Sequence, residues 1–125
     1  YVHTAIPSIK DNEQLEENLR AMREPYKPAD SDVLAAQLEG ITPLYCRMCG
    51  TCRGVCPQGL PVSDMLRYLT YAEGYGEFAL ARENFLSMPA AAQQVRCGDC
   101  DGCAIDCPNG VRVKQRLIRA QELLA

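Results

Sequence analysis

Eight cysteines are the residues of this chain whose type and spacing point to chemistry. They stand at positions 46, 49, 52, 56 and again at 97, 100, 103, 107, so the pattern C-x2-C-x2-C-x3-C-P runs from Cys46 to Pro57 and recurs from Cys97 to Pro108. Three chemistries compete for such a set. Disulfides serve small secreted chains, but thiols three residues apart in a tight loop aim at a common centre and bridge distant elements poorly. Zinc usually takes two C-x2-C pairs across a longer loop and closes one tetrahedron, for which a third cysteine at the same interval and then x3-C-P is surplus. A cubane iron–sulfur cluster needs three thiolates from one wrapping loop and a fourth from elsewhere, and this run supplies such a set. Gly50, Gly54, Gly98 and Gly102 let the backbone curl tightly and turn N–H groups toward sulfur.

Two such runs with proline in register resemble the ferredoxin-type dicluster domains. In that family the fourth cysteine of each run binds the other cluster. The resemblance implies two ligand sets: Cys46, Cys49 and Cys52 with Cys107, and Cys97, Cys100 and Cys103 with Cys56. Zinc and disulfides remain as lesser alternatives.

The elements that must position these loops read as helices. Leu15, Leu19 and Met22 fall at helical spacing over residues 11–23, with Asp11 and Gln14 as a capping box and Pro25 and Pro28 as stops. Ser31 caps a short helix carrying Leu34 and Leu38 and closed by Gly40. Between the loops, Pro61 opens a helix with Val62, Met65, Leu66, Leu69 and Ala72 inward, and Gly74 and Gly76 break it. A further helix over 77–87 is expected to bury Phe78, Ala81, Phe85 and Met88 before Pro89. Val113, Leu117, Ala120 and Leu124 form the last stripe, flanked by Arg112, Lys114, Arg116 and Arg119. Tyr68, Tyr71 and Tyr75 read as the rim of the helical core rather than as an electron path. Small β-rich dicluster ferredoxins join their loops through strands, whereas this linker has no β-alternation. The fold class expected is therefore mainly α, an α-helical ferredoxin-like domain with helices packed around two cubanes.

Residues 1–6 read as a short strand, followed by Ile6-Pro7 and the string Gln14-x-x-Glu17-Asn18. This resembles the end of an aldo/keto reductase barrel, where a last strand runs into an I-P-x-x-x-x-x-x-Q-x-x-E-N segment. The resemblance implies that Ser8, Lys10, Gln14, Glu17 and Asn18 contact the adenosine phosphate end of a nicotinamide cofactor. Lys10 and Ser8 depart from the small hydroxyl residue and the glycine frequent in that family, which leaves NADP and NAD both open. The organisation expected is an arm, 1–40, resembling the barrel's C-terminal end, then a dicluster domain, 41–125. The family's catalytic residues lie upstream of this segment, so no catalytic residue is assigned, and His3, the only histidine, reads as a strand-end polar group.

The 125 residues carry 13 basic and 16 acidic side chains, a formal charge of −3, which offers no reason to expect nucleic acid or an anionic membrane as partner. No apolar run approaches the length of a membrane span. No signal peptide is visible, and a cytoplasmic location is expected. The function expected is one-electron transfer through two 4Fe-4S clusters, between a redox partner protein or flavin and a barrel of the same parent chain. The alternatives are an electron-transfer subunit of a quinone- or heterodisulfide-reductase complex and a structural zinc module. Arg47 and Arg53 in the first loop, against Asp99, Asp101 and Asp106 in the second, predict that the Cys46/Cys49/Cys52 cluster has the higher potential.

Overall fold

A helical stripe buries one face of each segment, and the order of those stripes sets the architecture. The structure, a computed structural model, describes residues 3–125, and among them there are helices and loops but no strand. The helices are α1 (Asn12–Arg23), α2 (Pro28–Ile41), α3 (Val62–Gly74), α4 (Phe78–Leu86), α5 (Ala90–Gln94) and α6 (Val113–Leu124), with one 3-10 turn at Cys97–Asp99. The chain divides into two units, Tyr1–Ala36 and Gln37–Ala125, with the division inside α2.

In the first unit, Asp11 caps α1 by accepting from the Gln14 N–H at 2.8 Å, while the Gln14 side chain accepts from the Lys10 N–H at 3.0 Å. That closes the reciprocal cap one residue earlier than in a standard capping box. The strand read over 1–6 is corrected in its described part: residues 3–10 have no regular secondary structure, and Tyr1 and Val2 lie outside the described residues. A strand needs a neighbour to take its hydrogen bonds, and among the described residues there is none. The beginning of α2 is also corrected. Pro28, read as a stop, is its first residue, where the missing N–H costs nothing, and Asp30 accepts from Lys27 N–H at 3.0 Å. Ser31, read as the cap, pairs its hydroxyl with Tyr26, and Gly40 stays inside the helix, which ends at Ile41. Neither α1 nor α2 buries a single residue: Leu15, Leu19, Leu34 and Leu38 are all 40% exposed or more.

In the second unit, α3 packs on both α4 and α6. Its buried positions Val62, Met65, Leu66 and Leu69 meet Ala81 and Phe85 of α4 and Leu117, Ala120 and Leu124 of α6 in one core. Met65, Ala81, Ala120 and Leu124 are wholly buried, and each large apolar side chain so buried contributes about 1.5–3 kcal/mol before entropy is counted. Phe78, expected inside, is 45% exposed, because α4 begins there and its inward face starts at Ala81. Tyr68 is buried, Tyr71 half-buried and Tyr75 exposed, a gradient running from core to rim. Across the seam, Glu73 of α3 accepts from Arg116 at 2.6 Å and from Arg119 at 2.8 Å, tying α3 to α6. Burial alone would raise the Glu73 pKa, but the two guanidinium groups outweigh it and hold the carboxyl below its ordinary value.

Candidate metal centre

The two cysteine loops are held to this core by different contacts. The first begins where α2 ends. The Arg112 N–H donates to the Pro43 carbonyl at 3.0 Å, and Tyr45 lies so close to Gly74 that a Cβ there would stand 3.2 Å from the ring. Beyond Cys46 the backbone turns left-handed at Met48 (φ 55), the one non-glycine residue with positive φ among the described residues. An L-residue resists that conformation by about 1–2 kcal/mol. Here the turn aims the Met48 N–H at Cys46 Sγ, 3.3 Å away.

Cys49 is exposed, and its sulfur has two further polar neighbours, the Thr51 hydroxyl at 3.3 Å and the Asn109 Nδ2, which donates from the opposite loop at 3.3 Å. Hydrogen bonding from Thr51, hydroxyl first and backbone N–H second, lowers the Cys49 thiol pKa, with a smaller push from Asn109. Cys52 moves the other way: burial raises its pKa first, and the charges of Cys46, Cys49 and Cys107 add to it.

The second loop is built into the core. Val95 and the 3-10 turn Cys97–Asp99 lie against α6, where buried Gln121 accepts from the Cys97 N–H at 3.1 Å and donates to the Val95 carbonyl at 2.5 Å. Lys114 donates to the Cys100 carbonyl at 2.5 Å. Cys97 is only 7% exposed, and its thiol is pushed up to about 11, by burial first and then by the charges of Cys100, Cys56 and Cys103. Cys56, Cys97, Cys100 and Cys103 line one cavity whose other walls include Val62, Val95, Ile105 and Leu117.

Cys56 of the first run thus lies with Cys97, Cys100 and Cys103 of the second. After burial, Cys107 is among the thiols whose charge raises the Cys52 pKa, and Cys56 among those that raise that of Cys97. All eight thiols are free. Among the described residues no three Cys, His, Asp or Glu side chains converge on a point that one ion would occupy. A tetrahedral zinc ion would hold its sulfurs about 3.8 Å apart. In a cubane each thiolate takes a different iron, so the four sulfurs need not converge on one ion.

The residues matched to nicotinamide contacts all lie in the first unit. Gln14 accepts from the Lys10 N–H through its side chain and from the Asn18 side chain through its carbonyl at 2.9 Å, whereas Ser8 and Glu17 are exposed. The Lys10–Gln14 bond completes a helix cap. His3 is exposed outside any helix. Sequence reasoning missed Gln121 and Asn109 as supports of the loops. For Asn109 a signal existed: each run continues as C-P-amide-G, Cys56-Pro57-Gln58-Gly59 and Cys107-Pro108-Asn109-Gly110.

A family model described as a 4Fe-4S dicluster domain matches residues 45–111, from just before the first cysteine to just after the last. Neither the curated proteins nor the solved structures give a match.

Proposed function

The chain belongs to the 4Fe-4S dicluster domain family, and from that premise we propose that it relays single electrons through two cubanes held by crossed ligand sets. Cys46, Cys49, Cys52 and Cys107 hold one, and Cys97, Cys100, Cys103 and Cys56 the other. The observation that carries this reading is the cavity that Cys56 of the first run shares with Cys97, Cys100 and Cys103 of the second. A cubane bound in such a frame supplies one-electron exchange with little change of shape. The chain's part is to present thiolates, to exclude water from the Cys97 side and to donate hydrogen bonds to sulfur on the Cys46 side. No acid–base residue is required. The test is iron and acid-labile sulfide analysis of anaerobically prepared protein with its absorbance spectrum. About eight iron and eight sulfide per chain are expected; stoichiometric zinc and a colourless sample would defeat the reading.

For the wider context we propose an aldo/keto reductase-type oxidoreductase whose barrel supplies hydride chemistry with NADP or NAD. The Gln14-x-x-Glu17-Asn18 string and the apolar residues that α1 leaves uncovered support this. Its test is bleaching or reduction of the clusters by NADPH or NADH in the full parent chain, and inertness to both would remove the barrel from the account.

A further inference from the structure

The two thiol sets differ in what their sulfurs touch. In the first, the Met48 N–H reaches Cys46, and the Thr51 hydroxyl and the Asn109 amide reach Cys49. In the second, among the described residues, no side-chain amide, hydroxyl or neighbouring-residue N–H makes such a bond. The groups in equivalent positions are spent elsewhere. The Asp99 N–H, which corresponds to that of Met48, donates to the Arg96 carbonyl at 3.2 Å, and the Cys97 N–H is taken by Gln121. Gln58, in the place corresponding to Asn109, is exposed and reaches no sulfur.

We propose that Asn109, by donating to Cys49 Sγ from the opposite loop, raises the reduction potential of the Cys46/Cys49/Cys52/Cys107 site above that of its partner, so that the chain's first electron settles there. The inference rests on the dicluster reading and adds a direction to it. One electron from a reductant adds one negative charge to a site; no bond to cysteine breaks and no proton is taken up. Sulfur shares the added charge, so a donor aimed at sulfur favours the reduced state. The apolar cavity shared by Cys56, Cys97, Cys100 and Cys103 disfavours the same charge on the other side. Arg47 and Arg53 beside the first site, and Asp99 and Asp101 beside the second, act in the same direction. Lys114 and Arg96 are the counterweights on the second site, but they donate to the carbonyl oxygens of Cys100 and Gln93 and not to a sulfur. Asn109 is a positioning residue: it acts on the electron through Cys49.

The experiment is a redox titration followed by electron paramagnetic resonance on the two-cluster protein, with dithionite as reductant. Asn109→Leu should lower the upper of the two steps by about 59 mV, a tenfold loss in the one-electron equilibrium, and leave the lower step in place. Gln58→Leu, the matched change in the other loop, should move neither. If Asn109→Leu fails to load both clusters, Asn109→Asp, which keeps the shape and replaces the donor by a negative charge, should lower the upper step further. An unmoved upper step, a shift of the lower step alone, or an equal effect of Gln58→Leu would overturn the inference. Iron and sulfide content of the unaltered protein separates the two failures: short loading defeats the dicluster reading, full loading with unmoved steps defeats only this one.

Discussion

The same twelve-residue pattern is solved in two ways by its two copies. The loop from Cys97 is nailed to a helix: buried Gln121 holds it by two backbone groups, Lys114 by a third, and Cys97 sits in the core. The loop from Cys46 is less deeply set: Cys46 and Cys52 lean on the core while Cys49 is exposed. Its backbone takes a left-handed turn at Met48, and polar groups reach Cys46 and Cys49. One sequence motif therefore specifies ligand spacing and nothing about environment. Environment comes from what each copy is next to: α6 holds the second through the side chains of Gln121 and Lys114, and the first only through the backbone of its N-cap, Arg112.

The largest test of this contrast is removal of the metal. The second unit should lose its cooperative melting transition when iron is chelated under reducing conditions, because eight thiols, one of them deep in the core, then lack the group they surround. An unchanged circular dichroism signal and melting curve after full chelation would mean that the helical core stands alone. Next in size is Cys107→Ser. It should damage the cluster of Cys46, Cys49 and Cys52 rather than the one beside it in sequence, which spectra of the single-cluster product would read; loss of the neighbouring cluster instead would undo the crossing.

Gln121→Ala should destabilise the protein by about 1–3 kcal/mol in a denaturant titration, since it leaves the buried Cys97 N–H and Val95 carbonyl unpaired. No change would show that the second loop does not lean on α6. Arg47→Gln with Arg53→Gln should lower the upper reduction step by less than Asn109→Leu does, because exposed charges are screened over about 8–10 Å; a larger effect would make charge, not hydrogen bonding, the main difference between the loops. The smallest effect concerns pH. Glu73 has a folded pKa below its unfolded one, so the stability it gives the α3–α6 seam is present above about pH 4.5 and is lost as pH falls through the folded value. Glu73→Gln should flatten that part of the acid-denaturation profile, and an identical profile would show that the seam does not need the pair.

Much of this was legible in the residues. Proline in register and repeated spacing are local signals, so the cysteine loops could be read directly, as could α3, α4 and α6, whose stripes recur at helical period. What failed was punctuation that has two meanings. Pro28 stops a helix or starts one, and only Asp30, three residues beyond Lys27, tips the balance. Phe78 fits a helical stripe, yet it lies in the first turn, where the face has not yet reached the core. Residues 3–6 have strand composition, but a strand is a property of a pair. The contacts of Gln121 with Cys97 and of Asn109 with Cys49 span 24 and 60 residues, and no local pattern reports such distances.

The crossing proposed for the ligand sets has a further consequence, in time rather than in space. A ribosome making this chain releases Cys46, Cys49, Cys52 and Cys56 well before Cys97, and Cys107 last of all. With ligand sets that cross, the three early thiols lack their fourth partner, and Cys56 waits for three that do not yet exist. Neither set closes until the second run has emerged. Under the proposed sets, delivery of iron and sulfide is coupled to synthesis of the second run, and a truncated chain ending before Cys97 would carry four thiols with no complete place to put a metal.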